Sequence, residues 1–186
     1  MHDPVDAAFA AAPREEFLPP ELRGQASYDG PLDIGGGQTN SQPRTVAAML
    51  RLLEVRPGDR ILDVGSGSGW STALLAHLTG PTGEVIGVET VPELVAFGRA
   101  NLARQQLPWA RVTQAEPGVL GVPDHAPYDR ILVSAEARRL PDALLAQLGD
   151  EGRMVLPVTG TMLLVEQRED RPRVTRHGSY RFVPLV

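Results

Sequence analysis

Cysteine is absent from all 186 residues, which excludes a disulfide framework and a thiol nucleophile. Histidine is scarce: His2, His77, His125 and His177 are scattered without metal-ligand spacing, so each is expected as a surface or packing group and no metal is expected. No stretch approaches the roughly 18–20 consecutive apolar residues of a membrane span. The opening MHDPVDAAFAAAPREEF also lacks the basic start and apolar core of a signal peptide, so the expected location is cytoplasmic. An excess of positive charge is missing too. With 18 Lys and Arg against 23 Asp and Glu, the net charge of −5 argues against nucleic acid or an anionic membrane as an obligate partner.

What is present is ordinary globular material, 42% hydrophobic and 22% charged. The length suits one domain, since domains run to roughly 100–200 residues. The 19 glycines and 17 prolines fall between apolar segments as loop punctuation and form no low-complexity tract. A short helix is predicted from Asp3-Pro4, with Val5, Ala8 and Phe9 on its apolar face and Pro13 ending it. From Phe17 to Gln42 no periodicity persists, which predicts a long loop of the kind that is usually functional or disordered. After Pro43, helical spacing of Val46, Met49, Leu50 and Leu53 predicts a helix stopped by Arg56-Pro57-Gly58-Asp59. Residues 1–42 thus read as an appendage carrying a helix and a loop, and 43–186 as the core.

In that core, strands and helices alternate. Strands are predicted at RILDV (60–64), EVIGVE (84–89), ARVTQA (110–115), YDRILVSA (128–135) and RMVLPV (153–158), with helices at WSTALLAHL, PELVAFGRANLARQQ and PDALLAQL (141–148). TMLLVEQRE and the region from Arg173 to Pro184 read as two last strands around a turn at Asp170 to Pro172. The expected fold is α/β: a Rossmann-like, doubly wound, mostly parallel seven-stranded sheet with helices on both faces and a C-terminal antiparallel hairpin.

Chemistry concentrates in two places. In ILDVGSGSGW, Gly65, Gly67 and Gly69 lie between a strand and a helix, where glycine allows a tight turn and lets a ligand approach free N–H groups at the helix start. Trp70 stands where the dinucleotide fingerprint has its third glycine, so hydride transfer loses ground. Glu89, at the end of the next strand, either accepts hydrogen bonds from ribose hydroxyls or is an ordinary strand-end acid. The second place is LDIGGGQTNSQP (32–43), a run of small and uncharged polar residues without acid, base or thiol in its Gly-to-Ser stretch.

The pattern D-x-G-x-G-x-G beginning at Asp63 resembles motif I of class I S-adenosylmethionine-dependent methyltransferases. More specifically, PREEFLPPELRGQASYDGPLDIGGGQTNSQP, PGDRILDVGSGSGW, LGVPDHAPYDRILVSA, RMVLPV and YRFVPLV, taken in order, resemble the protein-L-isoaspartate O-methyltransferase family from about Pro13 to Leu185. The resemblance implies methyl transfer from S-adenosyl-L-methionine, leaving S-adenosyl-L-homocysteine, to the α-carboxylate of isoaspartyl residues in damaged proteins or peptides, by a monomer. A carboxylate of pKa about 4 is already ionised and needs no general base. By the same resemblance Asp63, Gly65, Ser66, Gly67, Gly69, Glu89 and, weakly, Glu116 belong to the cofactor. Ser41 lies beside the transferring methyl, while Gln38, Thr39, Asn40, Ser134, Arg181 and Phe182 line the acceptor, with Gly35 to Gly37 giving backbone access.

Structural alternatives stand beside these roles: Asp63 as a turn-bonding group, Ser41 as the cap of the helix near Pro43, and Arg181 and Phe182 as plain last-strand residues. Three positions leave the family pattern. Asn40 replaces an apolar residue, Ala115-Glu116-Pro117-Gly118 replaces Gly-Asp-Gly, and Glu136 brings a charge that would repel a carboxylate acceptor unless Arg138 or Arg139 neutralises it. A methyltransferase with another acceptor, or a cofactor-binding homologue without turnover, are the rival readings.

Overall fold

The computed structural model describes residues 3–169 and 171–185. His2 and Asp170, named above, lie outside the described residues.

Seven strands form one sheet in the order β5-β4-β3-β6-β7-β8-β9, from β3 (Arg60–Val64), β4 (Glu84–Glu89), β5 (Ala110–Gln114), β6 (Tyr128–Val133), β7 (Leu148–Val158), β8 (Thr161–Glu166) and β9 (Arg173–Ser179). The first five are mutually parallel, and β8 runs antiparallel to both neighbours. The expected terminal hairpin is therefore part of a three-stranded meander. Thr159 and Gly160, both at positive φ, form the tight turn between β7 and β8.

Consecutive strand residues face opposite ways, and the apolar contacts follow that rule. Ile61, Val85, Val112, Leu132 and Val155 pack with α1 (Pro4–Ala11), α2 (Pro43–Leu53), α3 (Trp70–Thr79) and α4 (Pro92–Gln105). Leu62, Ile86, Ile131, Met154 and Val165 pack on the other face. Each fully buried Leu or Ile contributes about 1.5–3 kcal/mol, so this double-sided burial dominates the fold's stability. Helices on both faces were expected, but the second face carries only α5 (Asp142–Leu145) and loop residues such as Leu120, Val122 and Leu140. The predicted helix over 141–148 stops at Leu145 because Leu148 already pairs with Tyr128 in the sheet. A bulge with Glu151 at φ 58° then restores register, from Arg130 opposite Arg153.

The N-terminal segment is more ordered than the expected long loop. α1 is capped by Asp3, whose carboxylate accepts from the Val5 amide at 2.9 Å. Two 3-10 turns follow, at Arg14–Phe17 and Pro20–Gln25, and then a two-stranded hairpin of β1 (Leu32–Gly35) and β2 (Gln38–Asn40). Gly35, Gly36 and Gly37 all sit at positive φ and make its turn. Leu32 and Ile34 pack with Leu18 and Leu94, laying the hairpin against the start of α4. At the other end, the predicted strand to Pro184 breaks off at Ser179. The chain then hooks back, with Val183 accepting from the Glu136 amide (2.7 Å) and the Leu185 amide donating to the Glu136 carbonyl (2.8 Å).

Candidate active site

β3 has β4 on one side and β6 on the other, so the connections after these strands leave in opposite directions and open a crevice at their carboxyl ends. A cleft of about 830 Å³ lies there. Its walls come from the Gly65–Ser68 loop, the end of β4, the loop after β5, the loop after β6, the hairpin from Ile34 to Ser41, and the returning residues Val183–Leu185.

The glycine-rich loop holds its shape by its own backbone. The amides of Gly65 and Ser66 both donate to the Val88 carbonyl, at 2.9 and 3.1 Å, and the Gly69 amide donates to Ser66 (2.8 Å). Gly65, Gly67 and Gly69 are all at positive φ. At Gly69 close packing adds to conformation, since a Cβ there would stand 3.2 Å from the Gly98 backbone of α4. Glu89 closes the loop from the next strand, with one carboxylate oxygen accepting from the Gly67 amide (2.9 Å) and the other from the amides of Thr90 (2.7 Å) and Val91 (3.0 Å). A carboxylate offers about four acceptor positions, so the Gly67-bound oxygen retains capacity for a ligand hydroxyl.

Asp63 is fully buried behind this loop and does not line the cleft. One oxygen accepts from the hydroxyls of Ser71 and Thr72, each at 2.7 Å, and the other has no partner among the described residues. Burial pushes its carboxyl up to about 6, offset in part by the two hydroxyls and reinforced by the charge of Glu89. Its contacts therefore bind the first turn of α3 to β3. Ser66 does line the cleft, and its buried hydroxyl also lacks a partner among the described residues.

Gln38, Thr39, Asn40 and Ser41 stand on the wall facing the loop. Ser41 does not cap α2, because Gln42 occupies the N-cap position. Its carbonyl instead accepts from Arg14 at 3.0 Å. Gly35 to Gly37 are the hairpin turn and do not line the cleft, contrary to the expectation of backbone access. Ser134, Glu116, Arg138 and Arg139 line it, the last three exposed. Glu136 points elsewhere: its carboxylate accepts from the Gly160 amide at 3.0 Å, so the expected repulsion of an acceptor is removed by orientation and not by Arg138 or Arg139. Arg181 and Phe182 are absent from the cleft lining. Phe182 packs on the helical face, and the neighbouring Val183, Pro184 and Leu185 supply that wall because the chain turns back only after them.

Two residues that support the site carried no role in the sequence reading. Arg14, 6% exposed, donates from Nε to the Asn40 side chain (2.7 Å) and from its terminal nitrogens to the carbonyls of Tyr28 (2.7 Å), Gly30 (2.8 Å), Asn40 (3.0 Å) and Ser41 (3.0 Å). Burial lowers its pKa, and the charge of Asp29 opposes that. Trp70 lies beneath it, with the guanidinium 5.6 Å from the ring centroid, and its indole N–H donates to the Ala12 carbonyl at 3.0 Å. The residue that breaks the dinucleotide fingerprint thus clasps the N-terminal segment. The P-R-x-x-F spacing was the only sequence signal for Arg14.

A mostly parallel α/β sheet, a cleft at its switch point, a G-x-G-x-G turn and an acid ending the following strand together define a class I S-adenosylmethionine-dependent methyltransferase. The residues fit that cofactor: Ser66 offers an unsatisfied buried hydroxyl beside a tight glycine turn, and Glu89 keeps an acceptor position on the same wall. The chain belongs to the protein-L-isoaspartate (D-aspartate) O-methyltransferase family, whose model matches residues 1–186. It is 46% identical to the protein-L-isoaspartate O-methyltransferase of Methanopyrus kandleri, over 98% of this chain and 83% of that protein. It is 45% identical to that of Aeropyrum pernix, over 96% and 71%. Among solved structures, a Plasmodium falciparum chain described as a putative protein-L-isoaspartate O-methyltransferase, in complex with S-adenosyl-L-homocysteine, superposes with TM-score 0.85 at 28% identity, covering 100% of this chain and 91% of that one. A further protein-L-isoaspartate O-methyltransferase gives TM-score 0.88 at 25% identity, with this chain spanning 62% of its length. Among the described residues no helix is long and apolar enough to cross a membrane.

Proposed function

We propose that this chain methylates the α-carboxylate of L-isoaspartyl residues in damaged peptides and proteins, acting as a cytoplasmic, single-domain monomer in which residues 1–42 supply the acceptor wall. The observation that carries the reading is the composition of the cleft. An uncharged polar wall, Gln38 to Ser41, faces the glycine-rich loop, and the one acid that threatened an anionic acceptor, Glu136, is turned to Gly160.

When bound, S-adenosylmethionine supplies a sulfonium methyl group open to attack by an ionised carboxylate. The chain's part is placement. Glu89 holds ribose hydroxyls, and Ser66 with the Gly65–Gly67 backbone holds the methionine end, with Gly69 setting the start of α3 and Asp63 bracing the loop from behind. Glu116 sits on the wall after β5, where the adenine end would lie. Ser41 donates a hydrogen bond that orients the acceptor carboxylate for in-line transfer, and Gln38, Thr39 and Ser134 shape the same pocket. Arg138 and Arg139 at the rim attract an anionic substrate without binding it at the reacting atoms. No base is required, which accounts for a cleft without histidine.

The test incubates the protein with labelled S-adenosylmethionine and either an isoaspartyl peptide or its normal aspartyl twin. Label in the isoaspartyl peptide alone is expected. Equal label in both, or label in neither while S-adenosylhomocysteine binding is confirmed by calorimetry, overturns the reading.

A further inference from the structure

Ser68 stands where two buried polar links cross. Its hydroxyl accepts from the Asn40 side-chain amide at 3.2 Å, and its carbonyl accepts from the Asn101 amide of α4 at 2.8 Å. Asn40, Ser68 and Asn101 are 4%, 2% and 1% exposed. From Asn40 the chain of bonds continues to Arg14, and from Asn101 it continues through Arg104, which donates both to the Asn101 oxygen and to the Glu16 carbonyl. Arg14 and Glu16 belong to the same 3-10 turn. The bonds therefore close a ring through the N-terminal segment, the acceptor hairpin, the cofactor loop and α4.

An amide side chain that bonds through both its oxygen and its nitrogen is fixed in orientation, and each bond left unmade in such a buried place is costly. Asn40 is bonded on both sides, to Arg14 and to Ser68. An apolar residue, which the family pattern has at this position, could make neither bond. Asn40 also adjoins Ser41 directly, so any tilt of its backbone passes to the residue assigned to the acceptor.

We infer that Asn40 is a positioning residue: through Ser68 it locks the acceptor wall, Thr39 to Ser41, to the glycine-rich loop, so that filling the cofactor side of the cleft stiffens the acceptor side. The kinetic consequence rests on the methyl-transfer reading above, whereas the binding consequence does not. In-line transfer punishes small misplacements steeply, so losing the link lowers turnover more than it weakens cofactor binding.

The test uses the full chain as wild type, Ser68→Ala and Asn40→Ile, with S-adenosylhomocysteine as the probe and amide hydrogen exchange read by mass spectrometry. In the wild type, the ligand slows exchange both in residues 65–69 and in the hairpin 32–40. In Ser68→Ala the loop is still protected, while protection of the hairpin falls by about fivefold or more. Asn40→Ile cuts the same bond from the other side and gives the same split. With an isoaspartyl peptide, each variant loses about tenfold in kcat while the cofactor KM stays within about twofold. Equal hairpin protection in wild type and both variants overturns the proposal. A wild type that shows the exchange split but methylates no isoaspartyl peptide counts against the acceptor reading and leaves the coupling supported.

Discussion

Replacing Asp63 with asparagine isolates the ionisation of one buried carboxyl. Burial pushes this group up to about 6 from an ordinary 3.8, a preference against the ionised form equivalent to about 3 kcal/mol. Below pH 3.8 the group is protonated in both folded and unfolded chains, so it adds no pH dependence there. As pH rises through about 6, the unfolded chain releases the proton while the folded chain resists, so wild-type stability falls and then levels off. The variant's carboxamide has nothing to titrate. Its oxygen can accept from Ser71 and Thr72 as before, but its NH₂ replaces the unpartnered oxygen and costs about 1–3 kcal/mol. The variant should therefore be less stable than the wild type near pH 4 and recover relative to it by about 3 kcal/mol near pH 7. For a chain of this size that is a relative gain of roughly 6–12 °C in midpoint. Thermal unfolding of both proteins by circular dichroism, in steps from about pH 4 to about pH 7.5, measures it. Two curves that stay parallel across the range would show that Asp63 keeps an ordinary pKa, and the account of its burial would fail.

Two further outcomes follow from the cleft walls. Gly67→Val forces a β-branched residue to φ 51° and sets its Cβ 3.2 Å from Ile34; strain of about 1–3 kcal/mol should weaken S-adenosylhomocysteine binding at least about tenfold by calorimetry, and an unchanged Kd would mean the loop is not the cofactor wall. Ser41→Ala removes a hydroxyl that no helix cap requires; kcat on an isoaspartyl peptide should drop at least about tenfold with S-adenosylhomocysteine affinity kept, and an unaltered rate would remove Ser41 from the reaction.

The sheet was legible in the sequence because its strands are buried on both faces and read as continuous apolar runs. Arg60–Val64 and Glu84–Glu89 fall where the sequence places them. The cofactor turn was equally visible, since glycines at positive φ cannot readily be replaced and so carry a local signature. The hairpin at Leu32–Asn40 escaped because only Leu32 and Ile34 alternate inward on β1, and its turn takes three of the nine residues. The end of the chain was misplaced by a few residues for a different reason: the hook from Val183 to Leu185 is set by hydrogen bonds to Glu136, almost fifty positions away, which leave no periodic trace. Arg14 was hidden in the same way. Its partners are backbone carbonyls of a segment whose path no pattern specified, so nothing distinguished it from a surface arginine.

The manner in which Arg14 is neutralised governs how the acceptor wall responds to its surroundings. No carboxylate bonds to the guanidinium among the described residues; carbonyl oxygens and one amide oxygen surround it. Carbonyl dipoles do not titrate, and dissolved ions do not compete with them across a buried contact as they do for an exposed ion pair. The fastening that holds Asn40 and Ser41 is therefore indifferent to acid and to salt for as long as the sheet beneath it stays folded. Whatever dependence on pH or ionic strength turnover displays originates in the arriving substrate, in Asp63 or in the arginines at the rim, and leaves this clamp out of the account.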